Sequence, residues 1–267
     1  MSAVRPGARV DERPNVVLLD LDGVVWLAHR PIDGSPEAIA RLRAAGSRVL
    51  FVTNNSSLSV GSQEAALERI GIPAVGDVLT SAMAAAQLVR PGERVQVCAG
   101  PGVEEALLAR GATLVVDGPA DAVVVGFHRD FDYERLRRAA TAVRSGARLI
   151  GTNDDPVYPT PDGPIPGGGA ILAAVRTAAG AEAVIAGKPF GPMADLVRAT
   201  VGAAAAAAAV MVGDRPDTDG RFALRLGCRF ALVWSGVTAH GDVLDPVPDL
   251  EGDDLRMVAD ILLGALR

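Results

Sequence analysis

Apolar residues along this chain fall into short continuous runs rather than strict alternation. Val16-Val-Leu-Leu19, Val49-Leu-Phe-Val52, Val95–Ala99, Ala122–Gly126, Val210-Met-Val212 and Phe230–Trp234 stand out. Runs of this kind read as strands covered on both faces, the habit of a parallel sheet. Between them lie helix signals. Ser35-Pro36-Glu37 offers an N-cap with proline in the first turn, and Gly46 stops the segment. Further helices are predicted over 61–70, after Ser81, up to Arg110, over 132–144, 170–179 and 192–201, up to Leu226, and from 253 onward. The alanine run 203–209 has high helix propensity. Its place directly before a strand makes it read as a loop running into that strand. Residues 152–169, rich in Pro and Gly, read as one long loop.

Strands alternating with helices imply an α/β chain with parallel pairing and right-handed crossovers. The rhythm has two styles. Residues 1–80 and 185–267 form one Rossmann-like core, and 81–184 form an inserted α/β block with its own small core.

The polar residues that interrupt this pattern cluster at strand ends. Val16–Leu19 runs into Asp20-Leu21-Asp22-Gly23. Residues i and i+2 of a strand share a side, so both carboxylates leave its carboxyl end together. Two like charges this close are costly unless a cation or a shared proton lies between them. Ligands of open α/β sheets bind at that edge. The next strand ends in Thr53-Asn54-Asn55-Ser56-Ser57, and the strand at 210–212 ends in Gly213-Asp214-Arg215-Pro216-Asp217-Thr218-Asp219.

Composition sharpens one position. Among 26 basic residues the single lysine is Lys188; all others are arginine. Lysine is a compact point charge where arginine is a broad planar fork, so a site that needs the compact charge resists the swap. The net charge of −6 argues against nucleic acid or an anionic membrane as partner. Cys98 and Cys228 lack metal or redox spacing and read as small buried thiols. The first fourteen residues lack the apolar segment of a signal peptide. The longest apolar stretch, Val201 to Gly213, is shorter than the roughly 20 residues a membrane helix needs, so the expected location is the cytoplasm.

Taken together, Asp20-Leu-Asp-Gly-Val24, Thr53-Asn-Asn55, Gly187-Lys-Pro189 and Gly213–Asp219 resemble the four motifs of the haloacid-dehalogenase phosphatases. The similarity is to the branch with a large cap between the second and third motifs, which includes p-nitrophenyl, phosphoglycolate and glycerol-3-phosphate phosphatases. It extends through Asn153-Asp-Asp-Pro156, Pro159 and Pro166-Gly-Gly-Gly-Ala170. The resemblance implies a Mg²⁺-dependent phosphatase of small phosphorylated metabolites. It assigns Asp20 as nucleophile and Asp22 as general acid and base. It gives the metal the Asp20 and Asp214 carboxylates and the Asp22 carbonyl. Thr53 and the Asn54 amide would hold phosphoryl oxygens, and Lys188 would offset the charge on Asp20 and phosphate. Asp219 and Asn55 would stand one layer back, Asp219 steadying Lys188 or metal-bound waters. One departure is Gly220, where the family usually has a branched apolar residue; it loosens the helix start beside Asp219. Caps of this branch often mediate dimers, so a homodimer stays open.

Other features carry less. Pro166-Gly-Gly-Gly169 reads as turn structure before substrate contact, and Gly100-Pro-Gly102 as a strand–helix turn. His29, His128 and His240 are scattered singly. Asp154, Asp155 and Tyr158 are within reach of the site from the cap, or belong to a polar loop. Two other functions share the same residues: a mutase passing phosphate to a second hydroxyl, and a silent phosphometabolite binder. The acid/base carboxylate Asp22, needed only for turnover, argues against the silent binder, and the cap type that the resemblance implies favours hydrolysis over transfer.

Overall fold

The computed structural model describes residues 13–27, 29–158, 160 and 163–265. Most of the amino-terminal stretch read above, and Pro159, lie outside the described residues. Val16–Leu19 forms β1, buried at every position as its apolar run predicts. A short hairpin follows, β2 (Trp26–Leu27) against β3 (Arg30–Pro31), then α1 (Ser35–Ala44), β4 (Arg48–Thr53), α2 (Val60–Arg69), β5 (Val78–Thr80) and α3 (Ser81–Ala86). The inserted block comprises β6 (Arg94–Cys98), α4 (Pro101–Ala109), β7 (Thr113–Val115), β8 (Ala122–Val125), α5 (Tyr133–Arg144), β9 (Arg148–Gly151), β10 (Val157–Tyr158), β11 (Ile165–Pro166), α6 (Gly168–Ala179) and β12 (Val184–Ile185). The chain closes with α7 (Gly191–Val201), α8 (Ala203–Ala207), β13 (Val210–Gly213), a π-helical turn over Pro216–Gly220, α9 (Arg221–Leu226), β14 (Arg229–Val233), β15 (Leu250–Gly252) and α10 (Leu255–Leu262).

Two parallel sheets result. The first has six strands in the order β15-β14-β13-β1-β4-β5, and the second five, β12-β9-β8-β6-β7. The architecture is therefore the Rossmann-like α/β core with an inserted α/β cap. One face of the second sheet has its own core, where Val123, Val125 and Leu149 meet Ala139, Leu172 and Val175. The other face, with Val95, Val124 and Ile150, joins Leu18, Leu50 and Met193 in one continuous apolar cluster. Burial of that shared layer ties the insert to the core through the hydrophobic effect.

Local signals explain most boundaries. One is shifted: Ser35 is not the N-cap of α1 but its first residue, behind Gly34, because its Oγ is taken up by the Val25 carbonyl at 2.7 Å. Ser59, Thr80, Asp132 and Asp254 each accept a bond from a backbone amide in the first turn of α2, α3, α5 and α10. The alanine run is corrected by the structure: Ala203–Ala207 is a short helix, and only Val210 begins the strand. Alanine loses no side-chain freedom in a helix, and with Ala206 buried nothing local opposes that preference. The loop 152–169 contains the antiparallel pair β10–β11, two residues per strand and too short to show a period. Among the described residues no helix is long and apolar enough to cross a membrane.

Candidate active site

Register decides where the polar strand ends meet. β1 pairs with β13 as Leu19 opposite Val212, and with β4 as Leu19 opposite Phe51. Asp20, Gly213 and Val52 therefore stand level, and the Asp20 amide continues the ladder by donating to Val212 O at 3.0 Å. Just beyond that level come Asp22, Thr53 and Asp214. They open into a cleft of about 780 Å³ lined also by Asn54 and Asn55.

Beneath the cleft floor lies a buried ionic cluster. Lys188 Nζ donates to Asp20 Oδ1 at 2.9 Å and to Asp219 Oδ1 at 2.8 Å. Carboxylate oxygens of Asp20, Asp214 and Asp219 all lie within 4.8 Å of one another. Lys188, Asp214 and Asp219 are each at most 1% exposed. Burial works against the Lys188 charge, yet the facing Asp20 and Asp219 outweigh it and hold the ammonium above its ordinary value. Burial, then Asp219 and Asp20, push Asp214 up to about 8. Burial likewise raises Asp219, with Lys188 pulling the other way. Asp20 Oδ1 also accepts from the Leu21 amide at 2.8 Å.

Small residues make room for these carboxylates. Gly23 turns the chain away from β1 at φ +87°, and a Cβ there would lie 2.5 Å from Asp214 Oδ2. A Cβ at Gly213 or Gly236 would overlap Asp219 or Asp214. The Val237 amide donates to Asp214 Oδ2 at 2.6 Å, fixing that carboxylate against the loop after β14. Gly220 does not disturb Asp219. Its Cβ position is taken by Pro246, at 2.7 Å, which leaves no space for a branched residue. Asp219 stays locked between Lys188 and the Arg215 amide, which donates to Oδ2 at 3.2 Å.

The residues expected to hold phosphate divide into two kinds. Thr53 is buried, with Oγ1 accepting from the Asn55 amide at 3.1 Å. The Asn54 side chain turns to the insert instead. Its Oδ1 accepts from the Lys188 amide at 2.8 Å, and its Nδ2 donates to Lys188 O at 3.0 Å and to Asp155 Oδ2 at 2.9 Å. Its carbonyl accepts from Ser81 Oγ and Asn153 Nδ2. Asn54 thus clamps the lysine loop to the strand end. Asn55 Nδ2 reaches Tyr158 Oη at 3.4 Å.

Asp155 and Tyr158 line the cleft; Asp154, exposed, does not. Gly167 and Gly169 pack against backbone carbonyls of Asp155 and Asp154, where a Cβ would clash, so the glycine run is a tight turn. His128 is buried with Nδ1 at 2.9 Å from Gly126 O, and His240 stacks on Trp234; neither lines the cleft. Several lining residues have no role in the motifs above, Arg215 and Phe127 among them. Arg215 bonds Asp155 at 3.0 Å and Asp217 at 3.1 Å, and Phe127 stacks on Tyr158 with centroids 5.1 Å apart. Arg215 lies inside the Gly-Asp-Arg-Pro-Asp-Thr-Asp stretch, which was its only signal; Phe127 follows an apolar run and had none.

All-oxygen donors at this spacing suit a hard divalent cation. Both Asp219 oxygens are engaged, by Lys188 and the Arg215 amide, whereas the bonds above take one oxygen each of Asp20 and Asp214, which could therefore hold a metal. An added positive charge would also relieve the strained ionisation of Asp214.

Comparison with known proteins agrees. The family model "haloacid dehalogenase-like hydrolase" matches residues 17–113, and an HAD-hydrolase-like model matches 185–258. The D-glycerol 3-phosphate phosphatase of Mycobacterium tuberculosis is 36% identical over 92% of this chain and 71% of its own length. A solved glycerol phosphate phosphatase from the same organism, in complex with magnesium, superposes with TM-score 0.84 at 34% identity, covering 93% of this chain and 77% of that one. A p-nitrophenyl phosphatase from Archaeoglobus fulgidus gives TM-score 0.86 at 28% identity, over 93% and 99%. With its fold, its site and these relatives in agreement, the chain belongs to the haloacid dehalogenase-like hydrolases.

Proposed function

We propose that this protein is a Mg²⁺-dependent phosphatase that hydrolyses small phosphate monoesters through an aspartyl-phosphate on Asp20. The observation that carries this reading is the convergence of Lys188 Nζ, 2.9 Å from Asp20 Oδ1, with Asp214 at the same strand edge. A phosphate monoester is anionic and resists an anionic nucleophile until its charge is offset. Lys188, buried, supplies a fixed positive charge where low local polarity lets it act strongly. Magnesium, held by Asp20, Asp214 and the Asp22 carbonyl, would supply further charge neutralisation to the phosphoryl oxygens.

Asp20 Oδ attacks phosphorus and the ester oxygen departs. Asp22, on the cleft wall, gives that oxygen its proton and then takes one from the water that cleaves the acyl phosphate. Thr53 and the Asn54 amide orient the transferring group, while the Asn54 side chain keeps Lys188 in place. The insert roofs the cleft, which favours a small metabolite over a protein as substrate.

The test is release of inorganic phosphate from p-nitrophenyl phosphate with Mg²⁺. Activity should vanish with chelator and return with Mg²⁺. In Asp20→Asn it should fall by at least about a thousandfold while the fold is kept. Stoichiometric free phosphate separates hydrolysis from transfer to a second hydroxyl. No turnover over a broad ester panel would sink the reading.

A further inference from the structure

We propose that the cleft selects esters whose leaving group bears no second negative charge and offers an apolar face. This rests on the phosphatase reading above and concerns the part of the cleft away from Lys188.

Four large apolar side chains line the cleft while staying open to solvent: Leu27 and Val157 at 50% exposure, Val237 at 65% and Val243 at 94%. Isolated exposed apolar residues are ordinary, but their gathering around one concavity marks a contact surface. Phe127 and Tyr158, stacked at 5.1 Å, add a flat apolar step to the same wall.

Charge on this outer part is one-sided. Among the described lining residues, Arg215 is the one cation, and its guanidinium already bonds Asp155 at 3.0 Å and Asp217 at 3.1 Å. Around it stand Asp217, Asp242 and Asp245, of which Asp245 is answered by Arg221 at 3.3 Å. A carboxylate or second phosphate on the leaving group would give up hydration here, find the one cation among the described lining residues already engaged by two carboxylates, and face like charge. Such juxtaposition is a strong means of rejecting a wrong ligand. Hydroxyl-bearing or aromatic alcohols meet no such barrier and can cover the apolar wall.

The test compares glycerol 3-phosphate with 3-phosphoglycerate, which share a skeleton and differ in a hydroxymethyl against a carboxylate. p-Nitrophenyl phosphate serves as the apolar probe, and Mg²⁺ is held saturating. At low salt kcat/KM should favour glycerol 3-phosphate by about tenfold or more, and the gap should narrow as salt rises from about 0.05 to about 0.5 M. Asp242→Arg, at an exposed position, should narrow it too by raising turnover of the carboxylated ester. Equal or better cleavage of 3-phosphoglycerate would overturn the inference and leave the phosphatase reading intact. So would a gap indifferent to both salt and Asp242→Arg. Failure of all three esters would bring down the phosphatase reading, and this inference with it.

Discussion

At the carboxyl edge of the first sheet, β1, β4 and β13 release Asp20 with Asp22, Thr53, and Asp214. At the same edge of the second, β8, β9 and β12 release Phe127, Asn153 with Asp155, and Lys188. Both sheets are parallel, both are built from the same strand–helix rhythm, and both end at one cleft. The first edge carries three carboxylates, Asp20, Asp22 and Asp214; the second carries Phe127, Asn153 and Asp155, and from it Lys188 crosses over to the acids. Architecture alone therefore predicts a binding edge twice, and only the residues planted there give each edge its chemistry. Lys188 joins them, because it follows a strand of the second sheet and is buried against carboxylates of the first.

That joint is the place to press hardest. In Lys188→Met the carboxylates of Asp20 and Asp219 lose their buried partner, and breaking such a pair costs about 3–5 kcal/mol. Activity should fall by roughly a hundred- to a thousandfold or more. A melting curve and a phosphate-release assay read both. Near-normal stability with near-normal turnover would show that the crossing charge does not matter.

The acidic edge makes a second prediction. In metal-free protein the folded state holds a proton on Asp214 that the unfolded chain releases above its ordinary value of 3.8. On this account the contribution is fully present below about pH 4 and is lost as pH rises towards about 8, a loss on the order of a few kcal/mol. Asp214→Asn should flatten that decline and remove the thermal shift given by Mg²⁺. Denaturant melts of both proteins at several pH values check it; a parallel decline in the variant would assign the effect elsewhere.

A third change acts on the second edge. Asp155 bonds both Asn54 and Arg215, so Asp155→Ala frees the asparagine that clamps the lysine loop. Small misplacement of reacting groups can cost up to about a hundredfold, so a ten- to hundredfold fall in kcat is expected, with metal dependence unchanged. If KM alone moves, Asp155 contacts substrate rather than positioning the loop. The smallest effect belongs to Cys98→Ala, at the end of β6 but away from the cleft. Turnover should stay within about twofold, with stability reduced by about 1 kcal/mol. A large loss of rate would extend the functional edge to a strand the comparison leaves out.

Much of this was legible beforehand because the signals are local. Apolar runs gave the principal strands, Pro36 and Gly46 bracketed the first helix, and paired carboxylates after β1 marked the edge. The lone lysine at 188 was visible as an exception to arginine usage. Short pairings were not: β2–β3, β10–β11 and β15 are two or three residues each, set by partners rather than by pattern. Ala203–Ala207 followed intrinsic preference where position suggested a loop.

The chain alone determined which chemistry it could carry, because residue types at strand ends are a property of sequence. Only the tertiary structure decided how those groups are used. It spent the Asn54 side chain on holding Lys188, fitted Gly220 under Pro246, engaged Arg215 with two carboxylates, and stacked Phe127 on Tyr158. Each of these depends on segments tens of residues apart arriving within a few ångströms, and no local pattern encodes that distance.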